Sequence, residues 1–188
     1  LEAVIDLHRT HVAIVGASGY TGAELLRLLL AHPHVAVTSV SAQSSAGQPL
    51  AAVLPAFVGA CDLTLETIDV GRISAHAAVA FLCLPHGASH DVAREFLARG
   101  VRVIDLSADF RFHDPKVYEQ WYGAPHKAPE LCAEAVYGLP ERNRKAIAAA
   151  RLVAVTLPCC STWVVGGGKK GEATVASKVI VPSAFAVI

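Results

Sequence analysis

Apolar residues follow two rhythms along the chain. Unbroken or β-branched runs at His11–Val15, Val35–Val40, Ala77–Leu84 and Val101–Leu106 read as buried strands of a parallel sheet. Helical spacing fills the gaps. From Tyr20 onward Leu25, Leu28 and Leu29 share one face, with Glu24 and Arg27 off it, until Pro33 ends the pattern. Ser89–Arg99 repeats that design, with Val92, Phe96 and Leu97 inward and Gly100 as the stop. Cys61–Thr67 alternates apolar and polar residues, as a less buried strand does. Strand, helix, strand, strand, helix, strand predicts an α/β, doubly wound, mainly parallel sheet covered on both faces.

The rhythm breaks from Phe110 to Pro140. Prolines, aromatics and charges cluster there, with one short helical stretch at Val117–Trp121. Glu141–Ala150 reads as a helix and Arg151–Leu157 as a strand. After Trp163 the chain is Gly- and Lys-rich, then β-branched, and fits no element. The expected division is a domain over residues 1–150 and the start of a second, incomplete α+β domain over 151–188. No internal repeat is present.

The first strand runs into GASGYTG, with Gly16, Gly19 and Gly22 at a G-x-x-G-x-x-G spacing. Gly16 permits a tight exit from the strand, Gly19 lets the backbone approach a pyrophosphate, and Gly22 lets the helix pack on the strand. The amides of Ser18, Gly19, Tyr20 and Thr21 would then face a phosphate at a helix N-terminus. A glycine-rich turn between a strand and a helix is the context a Rossmann-type dinucleotide site requires. Near the end of the second strand, an acid commonly holds the ribose 2′-hydroxyl of NAD. Here the loop offers Ser41, Gln43, Ser44 and Ser45 and no acid. Hydroxyls and an amide can donate to a 2′-phosphate that an acid would repel, so NADP is the expected cofactor.

Composition narrows the field. The 188 residues are 53% hydrophobic with mean hydropathy +0.44, which supplies a core and argues against disorder. Sixteen basic residues balance sixteen acidic ones, so no electrostatic footprint for nucleic acid exists. No apolar run reaches the roughly 20 residues of a membrane helix. The five cysteines are odd in number and show no CxxC spacing, which suits a reducing cytoplasm better than disulfides or zinc. His32 and His34 flank a proline, as in a turn, and no metal is expected. No signal peptide is visible, and the absence of methionine leads to the expectation of a processed or trimmed product.

The segments GASGYTGAELLRLLLAHP, SAQSSAG, FLCLPHGASH, VIDLSADFR and AVYGLPE occur in this order, and over about His11–Ala154 the chain resembles the N-acetyl-γ-glutamyl-phosphate reductases. DLSADFR and YGLPE are far more specific than the glycines. The resemblance implies an enzyme of arginine biosynthesis that reduces a small-molecule acyl phosphate to an aldehyde with NADPH. In that chemistry a cysteine thiolate forms a thioester and expels phosphate, since a thiolate is both nucleophile and leaving group. Arg111 in DLSADFR fits the arginine that binds the substrate phosphate, the alternative being an ion pair with Asp109 or Asp114. Pro85 and Ser107 follow strand ends, where such a sheet collects its cofactor, and His86 reads as a loop residue without a catalytic part.

The tail departs from the family. A segment like NPGCYPT is expected after the strand at Arg151–Ala154, but the chain reads RLVAVTLPCCSTWVVGGGKKG. Cys160, ahead of Ser161 and Thr162, is the candidate nucleophile, because LPCCST resembles the PNCST form of aspartate-semialdehyde dehydrogenases. Cys159 is the alternative, and a third reading leaves both inert. Glycines 166–168 disfavour the long helix that should follow. A frameshift, an alternative end or a misread tail would produce such a loss of similarity, and the isolated chain is expected to be catalytically incomplete. Two other readings stand beside the first: a reductase of aspartyl or carrier-bound aminoadipyl phosphate, and a non-catalytic dinucleotide-binding module. A missing second domain would leave apolar surface, hence an expected homo-oligomer.

Overall fold

The computed structural model describes residues 9–155, so Cys159 and Cys160 lie outside the described residues. Its elements are β1 Thr10–Val15, α1 Tyr20–Leu30, β2 Val35–Ser41, α2 Leu50–Val53, β3 Leu65–Glu66, α3 Val70–Ser74, β4 Val79–Leu82, α4 Ser89–Ala98, β5 Arg102–Asp105, α5 Pro115–Tyr122, α6 Pro129–Cys132, β6 Val136–Tyr137, α7 Pro140–Ala149 and β7 Leu152–Ala154. The strands form one sheet in the order β3-β2-β1-β4-β5-β7-β6. Every ladder between these strands is parallel. The expected Rossmann-type, doubly wound α/β fold is what the structure has.

The two-residue period of each strand divides the core. Val12 and Ile14 of β1 join Val79 and Phe81 of β4 and the leucines of α1 on one face. Ala13 and Val15 join Ala80 and Leu82, with Phe96 and Leu97 of α4, on the other. Strands apolar on both faces can sit only between two helical layers, which is why these runs lack alternation. The chain moves outward from β1 to β2 and β3, then returns to place β4 on the other side of β1. Loops leaving β1 and β4 therefore diverge, and a crevice opens at their carboxyl ends.

Three expectations need correction. In α1 the buried leucines are Leu25, Leu26 and Leu29, not Leu28. With Gly22 they complete the i, i+3, i+4, i+7 set that faces the sheet, and Leu28 falls on the flank. The alternating stretch Cys61–Thr67 yields only Leu65–Glu66 as strand. Its backbone is engaged instead by the preceding loop: Leu65 N–H donates to Gln48 O, Gly47 N–H to Leu65 O and Leu50 N–H to Leu63 O. The irregular stretch after Phe110 holds more order than its composition suggests. Asp114 caps α5 by accepting from Lys116 N–H at 2.9 Å, Pro115 occupies the first turn, and α6 and β6 follow.

Candidate functional site

A cleft of about 410 Å³ lies at the switch point. Gly16, Ser18 and Gly19 form one wall, Ala42, Gln43 and Ser44 a second, and Cys83, Leu84 and Pro85 a third, with Ile68 beside them. The loops after β1, β2 and β4 thus meet around one space.

The first wall is built from the backbone. Gly16 has φ +89, and a Cβ on it would sit 2.4 Å from Cys83 O. A Cβ on Gly22 would sit 2.4 Å from Gly16 O and 2.7 Å from Ala17 Cα. The turn is anchored to β2, since Gly16 and Ala17 N–H both donate to Ser41 O, at 2.9 and 2.8 Å. Gly19 is the N-cap residue of α1, with no side-chain cap and no acid in the first turn. Among the described residues, the amides of Ser18, Tyr20 and Thr21 meet no backbone acceptor. A helix N-terminus with free amides and partial positive charge is suited to an anion. The cradle fits a pyrophosphate: its glycines leave room where side chains would stand, and its donors are unspent.

The N-terminus of α4 is the opposite case. Its N-cap residue, Ala88, has no capping side chain, yet Asp109 from the loop after β5 closes it. Asp109 accepts from Gly87 N–H at 2.8 Å and from Ser89 N–H at 3.0 Å, and is wholly buried. One helix end at this edge of the sheet is closed by the chain's own carboxylate, and the other is open.

The remaining expected site residues fall at varying depth. Tyr20 is 99% exposed at the first position of α1. Ser41 is fully buried beneath the turn, and its Oγ has no partner among the described residues. Gln43 and Ser44 are exposed, Thr21 and Ser45 partly so. Ser107 is buried, donating from Oγ to Asp105 at 2.7 Å. Arg111 is partly buried with its Nε unpartnered among the described residues. It makes no pair with Asp109 or Asp114, which are engaged with loop and helix amides.

An acid unmarked by the sequence reading lies next to the second wall, where the Glu66 carbonyl accepts from Ala42 N–H at 3.0 Å. Glu66 is the register partner of Ser41 in the β2–β3 ladder, and its carboxylate is bound by Arg72 of α3. The signal was long-range pairing, which a loop-by-loop reading does not contain. Two described thiols sit where a thiolate is disfavoured. Burial, with Asp105 nearby, pushes the Cys83 thiol far up, and burial pushes Cys132 up to about 11.

Behind Pro85 and Arg111 lies a second set of residues, in which the sequence marked His86 only as a loop residue and Asp109 only as a possible partner of Arg111. His86 Nδ1 is 2.9 Å from Asp109 Oδ1, and its ring stacks at 4.1 Å on Tyr122. Tyr118 donates to Asp109 at 3.3 Å, and His126 Nε2 lies 2.7 Å from the Asp109 carbonyl. His90 is buried and held below its ordinary range, chiefly by burial. An acid set between Ala108 and Phe110 just past a strand end, the Asp of SADF, was the available signal.

Comparison with known proteins bears on the family and the fold. The N-acetyl-γ-glutamyl-phosphate reductase of Nitrosococcus oceani is 50% identical over 142 residues, covering 76% of this chain and 41% of the relative. That of Desulforudis audaxviator is 52% identical over 143 residues, again 76% and 41%. The chain therefore spans about four tenths of the length of the curated relatives it matches. Among solved structures, aspartate semialdehyde dehydrogenase with NADP from Candida albicans superposes with TM-score 0.57 at 17% identity, covering 74% of this chain and 36% of that one. At that identity the likeness concerns the fold. Residues 11–150 match the family described as semialdehyde dehydrogenase, NAD binding domain. On that match, the chain belongs to the semialdehyde dehydrogenase NAD-binding-domain family.

Proposed function

We propose that this chain is the dinucleotide-binding portion of an NADPH-dependent N-acetyl-γ-glutamyl-phosphate reductase, yielding N-acetylglutamate semialdehyde and phosphate in the arginine pathway. The observation that carries the reading is the open α1 N-terminus facing a cleft at the switch point, in a chain about half identical to reductases of that name. The free amides of Ser18, Tyr20 and Thr21 would hold the pyrophosphate. Gln43 and Ser44 would donate to the 2′-phosphate. Glu66, the nearby acid, has its charge matched by Arg72, so it does not turn a 2′-phosphate away. Arg111, with Nε unspent, would grip the substrate phosphate.

In this chemistry the Cys160 thiolate attacks the acyl carbon, the carbon–oxygen bond to phosphate breaks, and phosphate leaves with the electron pair. NADPH, when bound, supplies the hydride that takes the thioester to the aldehyde and returns the thiolate. The cytoplasm is the proposed setting and a homo-oligomer the proposed state; the substrate domain expected from residue 151 would instead start after β7, because Leu152–Ala154 pair within the dinucleotide-binding sheet. Among the described residues no helix is long and apolar enough to cross a membrane.

The test has two arms. Titration of the pure chain with NADPH, followed by nicotinamide fluorescence, is expected to show saturable binding tighter than that of NADH. Run backward with N-acetylglutamate semialdehyde, phosphate and NADP, the isolated chain is expected to form little or no NADPH. Robust turnover abolished by Cys160→Ser would show that residues 1–188 suffice for catalysis. No binding of either dinucleotide would refute the cofactor site.

A further inference from the structure

The proposed reaction makes no use of Asp109, although no described carboxylate is more deeply engaged. Its side chain is wholly buried between two loops, 85–89 after β4 and 107–111 after β5. Oδ1 takes the Gly87 amide at 2.8 Å and His86 Nδ1 at 2.9 Å, and Oδ2 takes the Ser89 amide at 3.0 Å. The Asp109 backbone is tied as well: its N–H donates to Ser107 Oγ at 3.0 Å, and its carbonyl meets His126 Nε2 at 2.7 Å. The loop it holds includes Pro85, a wall of the cleft, and the loop it belongs to includes Arg111.

The direction in which a dinucleotide must lie follows from the walls. A 2′-phosphate belongs at the loop after β2 and the pyrophosphate at α1, so the nicotinamide runs toward the ends of β4 and β5. That is the end Asp109 straps together. Resting on the function proposed above, we infer that Asp109 is a positioning residue: it fixes loop 85–89, and with it the distance from the nicotinamide wall to Arg111, without touching either ligand. A local serine or aspartate would suffice merely to cap α4. A carboxylate drawn from another strand does more, because it couples two loops that carry different halves of the site. Hydride transfer needs such coupling, since misplacement by about 1 Å costs on the order of a hundredfold in rate.

Asp109→Asn tests this at nearly constant volume. The amide replaces one acceptor with an NH₂ donor, which then faces amides that also donate, and half of the clamp is lost. The full chain is titrated with two probes, NADPH and adenosine 2′,5′-bisphosphate, the latter reaching only the adenine end. Asp109→Asn is expected to weaken NADPH about tenfold and to leave the bisphosphate within about twofold. Equal weakening of both probes, as general loosening would give, or no weakening of either, overturns the proposal. Should Asp109→Asn fail to fold, Tyr118→Phe removes one donor at 3.3 Å and is expected to show the same split, about threefold on NADPH alone. Equal effects on both probes overturn the proposal there too. Wild-type chain that binds neither probe would instead defeat the dinucleotide reading, an outcome read before any variant is made.

Discussion

Gly16→Ala is expected to destabilise the domain by about 4 kcal/mol, a large part of the roughly 5–15 kcal/mol available to a domain. Two effects add. Alanine at φ +89 costs about 1–2 kcal/mol. Its Cβ would also lie 2.4 Å from Cys83 O and 2.9 Å from Cys83 C, both backbone atoms. Neither side can give way cheaply. Cys83 N–H donates to Val15 O at 2.7 Å, and Gly16 N–H donates to Ser41 O at 2.9 Å, so the turn is pinned to the strands on both its flanks. Gly19→Ala is the control. Its φ is −79, and the nearest atom to a Cβ is Gly16 O at 3.7 Å. That variant is expected to lose under about 1 kcal/mol while weakening dinucleotide binding, because its Cβ meets ligand rather than protein. Urea unfolding followed by circular dichroism separates the two. Equal losses would contradict the turn as described.

The contrast between those glycines also marks what was legible in the sequence. Strand, turn and helix around Gly16–Gly22 were readable because each is a local pattern, and the switch point follows once strand order is inferred from connectivity rules. Residues of the loops after β2 and β4 line one cleft for the same reason. What escaped reading was pairing across the sheet. Ser41 looked like a ligand contact by its place in a polar loop, yet its carbonyl holds the turn and its hydroxyl is buried. Arg111 drew attention as a cation, while Asp109 two residues earlier was weighed only as its partner. Asp109 instead bonds to amides some twenty residues away, a distance that no periodicity encodes. Leu26 displaced Leu28 because the helix phase is set by where Gly22 touches the turn, and two residues on, about half a turn of helix, Leu28 has rotated away from the sheet.

Asp105 should make stability depend on pH in the reverse of the usual carboxylate sense. It is fully buried at the end of β5, and burial pushes its carboxyl up to about 6, against the hydrogen bonds from Ser107 that favour the charged form. The folded state therefore binds this proton more tightly than the unfolded chain, whose value is near 3.8. The resulting stabilisation, about 3 kcal/mol in full, is present below pH 3.8 and is lost as pH rises through 6. About 2 kcal/mol of it should already be recovered at pH 4.5. Other carboxylates respond oppositely, so the measurement is a difference: unfolding free energies of wild type and Asp105→Asn at pH 4.5 and 7.5. Wild type is expected to gain about 2 kcal/mol on the variant at the lower pH, and a constant difference would refute the burial argument. The cost of keeping Asp105 charged at neutral pH has a structural counterpart. Ser107 has one hydroxyl proton, and giving it to Asp105 at 2.7 Å leaves its oxygen free to accept the Asp109 amide at 3.0 Å. An ionised Asp105 accepts that proton without competition, so the charge that weakens the fold is the one that orients Ser107 toward the loop carrying Asp109 and Arg111.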